Sequence, residues 1–195
     1  VEVLNNNRGS MPERGQQALD LLNDDVDRFT QLVEDLLEIS RFDVGTALLQ
    51  SQPLLVVEFV RQAIEHSPRP DAVVVATPDV EELVISADKR RLAQVISNLV
   101  ENADKYGEGG IEVQISSYDG TLIIAVEDEG PGVPEAERSV IFDRFSRGAA
   151  GGRRGYDTGS GLGLSLVAEH VGLHGGRVWV EDRLDGERGA RFVIA

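Results

Sequence analysis

The hydrophobic pattern of this chain changes its period once, and the change separates two parts of different architecture. Between residues 16 and 43, apolar side chains recur at alternating steps of three and four, the a/d pattern of a heptad repeat. The positions are Leu19, Leu22, Val26, Phe29, Val33, Leu36 and Ser40. A helix cannot bury so narrow a stripe by itself, so we predict a long helix that pairs in a bundle or coiled coil. A helix lying on the core of its own domain would favour a broader stripe.

A mixed pattern of helices and strands follows a predicted linker over residues 44–53. The predicted helices cover residues 55–65, about four turns after an Asp88 N-cap, residues 135–145 and residues 162–174. The predicted strands are 72–76, 83–86, 111–117, 121–128, 177–181 and 191–194. Asp119-Gly120 lies between two β-rich runs and predicts a hairpin. The pattern indicates an α+β fold, a two-layer α/β sandwich with a mixed sheet covered on one face by three helices.

Charge and composition exclude several classes of protein. The chain has 195 residues, a formal net charge of -15 and no cysteine. The negative field disfavours nucleic acid and anionic membrane surfaces as partners, and the missing thiols exclude disulfides and cysteine-based zinc sites. No apolar run approaches the roughly 20 residues of a membrane span. We therefore predict no nucleic-acid partner and no direct membrane contact for this part of the protein.

A polar helix face is the first candidate for a functional site. Asn98, Asn102 and Lys105 follow the spacing i, i+4, i+7 and share one face of the predicted helix. Asparagine is a poor helix former, which argues against an ordinary solvated face. An amide oxygen suits Mg²⁺, and Lys105, one of two lysines in the chain, can meet a phosphate directly. Taken alone, this face is a weak to moderate indication of a phosphate site.

Two glycine clusters and a phenylalanine pair follow along the chain. Asp128-Glu129-Gly130-Pro131-Gly132 ends a strand, and glycine permits close approach of the backbone to a ligand. Gly159-Ser160-Gly161-Leu162-Gly163-Leu164 precedes a helix, where backbone N–H groups can hold a phosphate. Between them lies Phe142-Asp143-Arg144-Phe145. Each cluster by itself is weak, because an ordinary tight turn or plain core packing would explain it.

The order of the clusters resembles the catalytic and ATP-binding domain of sensor histidine kinases, in the wider gyrase/heat-shock-90/MutL ATPase superfamily with its Bergerat-type ATP fold. Residues 98–106 resemble the N box, 128–132 the G1 box, 142–145 the F box and 159–164 the G2 box. Residues 28–41 resemble the second helix of the dimerisation and phosphotransfer hairpin. Four ordered boxes are far more specific than any one of them.

The resemblance implies roles at the phosphate end of an ATP site. It implies that Asn102 coordinates Mg²⁺, and that Asn98 and Lys105 contact phosphates. Arg144 would help to orient the γ-phosphate. The cofactors implied are ATP and Mg²⁺, and the residues acting on the transferred phosphate would be Asn98, Lys105 and Arg144.

The resemblance also implies an adenine wall and a lid. Asp128 would bind the adenine amine, Gly130 and Gly132 would shape the wall, and Tyr106 would line the pocket. Residues 146–160 would form the ATP lid. Its hinge, facing the phosphates, would consist of Ser160, Gly161, Leu162, Gly163 and Leu164.

One part of the family pattern is missing, namely an acceptor histidine followed by Glu or Asp and then Pro on a first bundle helix. His66, His170 and His174 do not fit it, so we predict no phosphoacceptor in this chain. Residues 1–15 would be the end of the first hairpin helix and a loop, residues 16–43 the second hairpin helix, and residues 54–195 the catalytic domain.

The resemblance implies the partners and location of a two-component sensor. The γ-phosphate would pass to a histidine-bearing hairpin helix, on the same full-length chain or a separate subunit, and then to a response regulator. The complete protein would be a homodimer, and this chain would be cytoplasmic, as the cytoplasmic part of a membrane-bound sensor kinase. Two alternatives remain open: a nucleotide-binding module without catalytic activity, and an anti-sigma-type serine kinase, against which the heptad helix argues.

Overall fold

The computed structural model describes residues 12–146 and 160–195. The chain divides into two compact units, one ending at Ala47 and the other spanning Leu48–Ala195. In the described part of the chain, no helix is both long enough and apolar enough to cross a bilayer.

The first unit contains the long helix α1, Glu13–Asp43. Its bounds confirm the helix that the heptad pattern predicts. Five residues of the stripe remain 37–67% exposed: Leu22, Val26, Phe29, Val33 and Leu36. A helix that leaves such a row of large apolar side chains in solvent is typical of one that pairs with another helix. The bundle partner stays a prediction.

The second unit is built from three helices and seven strands within its described residues. The helices are α2 (Val56–Glu65), α3 (Lys89–Tyr106) and α4 (Gly163–Leu173). The strands are β1 (Ser51–Leu55), β2 (Val73–Ala76), β3 (Val84–Asp88), β4 (Glu112–Tyr118), β5 (Thr121–Glu127), β6 (Val178–Glu181) and β7 (Arg191–Ile194).

The five-stranded sheet has the order β2-β4-β5-β7-β6, with β2 parallel to β4 and the other pairs antiparallel. Alternate strand residues such as Val113, Val126 and Phe192 point into one core together with the apolar faces of α2, α3 and α4. The predicted mixed sheet covered by three helices is therefore confirmed. The other face of the sheet carries a buried ion pair between Arg191 and Glu127.

Two predictions of local structure are wrong. Residues 135–145 form a single 3₁₀ turn, Glu135–Glu137, followed by further turns, where we predict a helix. Pro134 and the glutamates after it are a helix-start pattern, but Val140 and Phe145 stay exposed and Ile141 is the buried apolar residue of the segment. The segment therefore lacks the apolar face that would stabilise a longer helix. The predicted linker also contains the start of β1, which pairs antiparallel with β3 in a separate two-stranded sheet. Pro53 favours a linker in the sequence pattern, but proline is tolerated in a strand at the edge of a sheet.

The hairpin between β4 and β5 turns on Asp119 and Gly120, which both have positive φ, 50° and 74°. This is the two-residue turn that the Asp-Gly pair predicts. A Cβ on Gly120 would meet no atom within 4 Å, so a substitution there changes backbone strain alone. We expect Gly120→Ala to lower the free energy of unfolding by about 1–2 kcal/mol.

Urea denaturation would measure this effect against a matched variant. Gly172 lies in α4, is exposed and also has open space at its Cβ. Because alanine is the better helix former, Gly172→Ala should raise the free energy of unfolding by about 0.5–1 kcal/mol. Effects of the same sign at both positions would contradict this interpretation of the turn.

Candidate functional site

Helix α3 presents one apolar and one polar face, as its sequence predicts. Asp88 caps the helix, accepting a hydrogen bond from the Arg91 backbone N–H at 3.1 Å. Val95 and Leu99 are buried in the core, whereas the Asn98 and Asn102 side chains are partly exposed on the other face. The two amides therefore lie one turn apart on the surface of the helix.

The two asparagines differ in their contacts. Asn98 Nδ2 donates to the backbone oxygen of Gly163 at 3.3 Å, which joins the polar face of α3 to the glycine segment that opens α4. The side chain of Asn102 makes no hydrogen bond within residues 12–146 and 160–195. Its amide oxygen is thus available to a ligand, one turn from the contact between Asn98 and Gly163.

Asp128 directly follows β5, and the residue is only 5% exposed. Oδ1 accepts from the backbone N–H of Gly130 at 2.8 Å and from that of Ala190 at 3.3 Å. Both hydrogen bonds that the described residues make to this carboxylate go to Oδ1. The backbone therefore fixes one oxygen in place, while Oδ2 retains its capacity to accept from a ligand.

Three glycines allow the backbone to close around this carboxylate. A Cβ on Gly107, which follows α3, would lie 2.7 Å from the Asp128 Cβ. One on Gly130 would lie 2.7 Å from the Gly107 Cα, and one on Gly189 would overlap the Asp128 backbone oxygen. Any larger residue at these positions would displace the others. A Cβ on Gly132, which has φ +76°, would lie 2.8 Å from the Gly189 backbone oxygen.

Burial raises the pKa of the Asp128 carboxyl above its ordinary value, while hydrogen bonds from Gly130 and Ala190 and the charge of Arg183 act in the opposite direction. A raised pKa means that the ionised form costs stability at every pH above it, and that the cost disappears once both folded and unfolded states are protonated. The contribution of Asp128 to the free energy of unfolding therefore decreases as the pH rises from about 3.8, the ordinary pKa of an aspartate, through the raised pKa of the folded protein.

We expect Asp128→Asn to be more stable than the wild type at pH 7, and the difference to vanish as the pH falls to the ordinary value. The asparagine oxygen keeps both backbone hydrogen bonds without a buried charge. Urea unfolding of both proteins across this range would measure the effect, with Glu129→Gln, an exposed neighbouring carboxylate, as the control. Parallel stability curves for wild type and Asp128→Asn would contradict the prediction.

The glycine segment before α4 contacts the end of the phenylalanine cluster. Phe145 N–H donates to the Gly161 backbone oxygen at 2.9 Å, and both residues have positive φ, 62° and 69°. Positive φ is strained for phenylalanine. Ser160 Oγ accepts from the Leu162 N–H at 3.2 Å, and Leu162 is fully buried whereas Leu164 is partly buried. The predicted lid lies outside the described residues, apart from Ser146 and Ser160 at its two ends.

The remaining predicted residues are held by neighbours. Arg144 Nη2 donates to Glu169 Oε1 on α4 at 3.0 Å, and Lys105 Nζ donates to Glu101 Oε1 at 2.5 Å. Both ion pairs are partly exposed, and exposed pairs contribute only about 0–1 kcal/mol, so breaking them for a ligand costs little. Asp128 and the glycines packed around it, Gly107, Gly130 and Gly189, are called the Asp128 wall below. The Tyr106 backbone oxygen lies near Gly130, so the last turn of α3 adjoins this wall.

These contacts join the predicted residues in two groups along α3. Asp128 and Gly130 adjoin Gly107 and Tyr106 at the end of α3. Nearer the start of the same helix, Asn98 reaches Gly163, and Gly161 reaches Phe145. A carboxylate oxygen can accept from an adenine amine, and an amide oxygen can coordinate a magnesium ion. A glycine backbone without Cβ atoms lets a phosphate chain approach the N–H groups at a helix N-terminus. In the described part of the chain, no cluster of three acidic, histidine or cysteine side chains could hold a metal by itself.

Sequence reasoning missed three residues at the wall. Gly107 and Gly189 form two of its sides, and Arg183 Nη1 lies 3.5 Å from the Asp128 backbone oxygen. Gly107 gave no signal of its own, because a glycine directly after a helix is common as a C-terminal cap. The positions of Gly189 and Arg183 depend on the pairing of β7 with β5, which local pattern does not reveal.

Comparison with known proteins identifies the class of this fold and site. Residues 87–195 match the model of the histidine kinase-, DNA gyrase B- and HSP90-like ATPase family. The match covers more than half of the chain, and the chain belongs to this family.

Similar curated proteins are sensor histidine kinases. The signal transduction histidine-protein kinase AfsQ2 of Streptomyces coelicolor is 36% identical over 187 residues, which are 95% of this chain and 34% of AfsQ2. The probable sensor histidine kinase TcrY of Mycobacterium tuberculosis is 35% identical over 88% of this chain and 37% of TcrY. The chain thus spans about a third of the length of these relatives.

Solved structures agree with this classification. Full-length ShkA in complex with AMPPNP has a TM-score of 0.73 and 30% identity, over 94% of this chain and 39% of ShkA. The histidine kinase ThkA in complex with its response regulator protein TrrA has a TM-score of 0.69 and 25% identity, over 94% of this chain and 51% of that chain.

Proposed function

We propose that this chain is the ATP-binding kinase portion of a two-component sensor histidine kinase. The Asp128 wall carries the proposal: a buried carboxylate whose Oδ1 is held by two backbone amides and whose Oδ2 can accept from the exocyclic amine of adenine. The similarity to kinases, one of them solved with AMPPNP, supports the same conclusion.

The residues along α3 and α4 would act on the phosphates. Asn102 would coordinate Mg²⁺, which would neutralise phosphate charge. Asn98 and Lys105 would contact the phosphate chain, and the glycine backbone before α4 would hold it at the helix N-terminus. Arg144 would leave Glu169 to orient the γ-phosphate. Catalysis would rest on positioning and charge neutralisation.

In the reaction, the bond between the β- and γ-phosphates would break and a P–N bond to an imidazole would form, releasing ADP and the proton of the attacking histidine. The three histidines of this chain are poorly suited to this role. His170 is fully buried, both ring nitrogens of His174 are hydrogen-bonded, and His66 lies at the end of α2, directly before Ser67-Pro68. The acceptor would therefore belong to a hairpin helix outside this chain, in a homodimer that passes the phosphate to a response regulator.

Incubation with γ-labelled ATP and Mg²⁺ tests the proposal. The chain alone should bind ATP and incorporate no label. A second chain should become labelled when it joins a helix bearing His-Glu and a proline a few residues later to residues 12–47 of this protein. The label should be labile to acid, as a phosphohistidine is.

The alternatives predict different outcomes. Binding of ATP without any transfer to the hairpin would support a non-catalytic module. Acid-stable label would indicate a serine kinase. No detectable ATP binding would overturn the proposal altogether.

A further inference from the structure

A buried polar cluster lies between α3 and α4, and the proposed reaction does not use it. Asp88, Arg91 and His170 are 5%, 4% and 0% exposed. Arg91 Nη1 lies 3.1 Å from His170 Nδ1, and His170 Nε2 lies 3.2 Å from Gln94 Oε1. Groups of this kind are costly to bury, and their mutual contacts offset that cost. Arg91 Nε also lies 3.5 Å from Asp88 Oδ2, which makes an ion pair within the cluster.

The chemistry of the partners fixes the form of each imidazole ring. A guanidinium group can only donate, so His170 Nδ1 accepts from Arg91, and Nε2 carries the hydrogen that it donates to Gln94. His174 Nε2 accepts from the Asp88 N–H at 3.0 Å, and Nδ1 donates to the His170 backbone oxygen at 2.7 Å. Both rings are neutral in this arrangement. His170 joins α4 to Arg91 in the first turn of α3, and His174, directly after α4, joins it to Asp88, which caps α3.

The spacing of the contacts relates this cluster to the candidate nucleotide site. Arg91 precedes Asn98 by seven residues, and His170 follows Gly163 by seven. The two helices are antiparallel, because Asn98 meets Gly163 while Arg91 meets His170. Two polar contacts therefore hold the helix pair at points about 10 Å apart along its axis. One contact is in the proposed phosphate site and the other is buried at the opposite end.

We propose that His170, held by Arg91, is a positioning residue for the nucleotide site. By fixing α4 against α3, it keeps the glycine backbone at Gly163 beside Asn98, where the terminal phosphates would bind. Without an acceptor at position 170, Arg91 Nη1 loses its hydrogen-bond partner on α4, while the ion pair with Asp88 remains on the α3 side. Helix α4 is then no longer held against α3 at this point. The inference rests on the proposed function. The Asp128 wall lies at the other end of α3 and includes no residue of α4.

The test compares the affinities of AMPPNP and ADP, each with Mg²⁺, by calorimetry. His170→Leu fills the site without an acceptor, and we expect it to weaken AMPPNP binding about tenfold, since small displacements of positioning groups have effects of this order or larger. Binding of ADP should weaken less, about threefold at most, because the adenine wall is untouched. His170→Asn places an amide oxygen near the position of Nδ1 and should restore the preference for AMPPNP over ADP.

A control separates positioning from loss of stability. Val171 is a buried core residue on the same helix, and Val171→Ala should lower stability without changing the ratio of the two affinities. An unchanged ratio in His170→Leu, or an equal change in Val171→Ala, would overturn the inference. If His170→Leu does not fold, His170→Gln replaces it, because its amide lies one methylene further out. Equal ratios in His170→Gln and His170→Asn would then count against the role.

Failure of the proposed function would look different. A wild-type protein that binds neither nucleotide would overturn the proposed ATP site itself, and with it this inference. A wild-type protein that binds both, together with variants of unchanged preference, would overturn only the role of His170.

Discussion

Asp128→Asn is expected to weaken ATP binding by about tenfold to a hundredfold while leaving the domain at least as stable as the wild type. Oδ1 is committed to the backbone amides of Gly130 and Ala190, so the asparagine oxygen takes that position and Nδ2 replaces Oδ2. A donor would then face the adenine amine, itself a donor. A hydrogen bond to a charged group contributes about 1.5–3 kcal/mol, which gives the expected loss.

Calorimetric titration at pH 7 would measure this loss, with Glu129→Gln as the control that retains affinity. Inosine triphosphate gives a second readout, because it carries an acceptor oxygen in place of the amine. The ratio of ATP to ITP affinity should therefore fall in Asp128→Asn. An unchanged ATP affinity, or a loss shared equally by both nucleotides, would remove Asp128 from the adenine wall.

Asn102→Ala is expected to reduce phosphoryl transfer to the supplied hairpin by about a hundredfold or more, because metal stabilisation of transferring phosphate contributes several kcal/mol. ATP affinity should also lose most of its dependence on Mg²⁺. Asn102→Asp keeps an oxygen ligand and should retain part of both properties.

The rate of labelling and the Mg²⁺ dependence of AMPPNP binding would measure these effects. Asp104→Ala is a suitable control, since Asp104 is exposed on the same helix and pairs with Arg69. If Asn102→Ala transfers phosphate at the wild-type rate, or binds AMPPNP with undiminished Mg²⁺ dependence, the metal ligand must be sought elsewhere.

Sequence patterns predicted those parts of the molecule that depend on local periodicity. The heptad stripe of α1, the Asp88 cap and the Asp119-Gly120 turn are each set by residues close together in the chain, and the structure confirms them. The order of the sequence boxes indicated the family, which the match to residues 87–195 confirms.

What sequence reasoning missed depends on tertiary contact. β1 contains a proline and exists because β3 pairs with it. Residues 135–145 have a helical composition in part, yet they bury little apart from Ile141. Gly189 reaches Asp128 only because β7 lies beside β5. The cluster around His170 joins residues 79 positions apart in the chain. A single sequence does not reveal which residues so far apart come into contact.

The close packing of Gly107, Gly130 and Gly189 would limit how the base preference of the proposed adenine site could change. No side chain can be added at any of the three without moving the backbone, so the wall cannot be reshaped gradually by enlarging its lining. A mutational search for altered base selectivity would find its tolerated solutions almost entirely in the polarity of position 128.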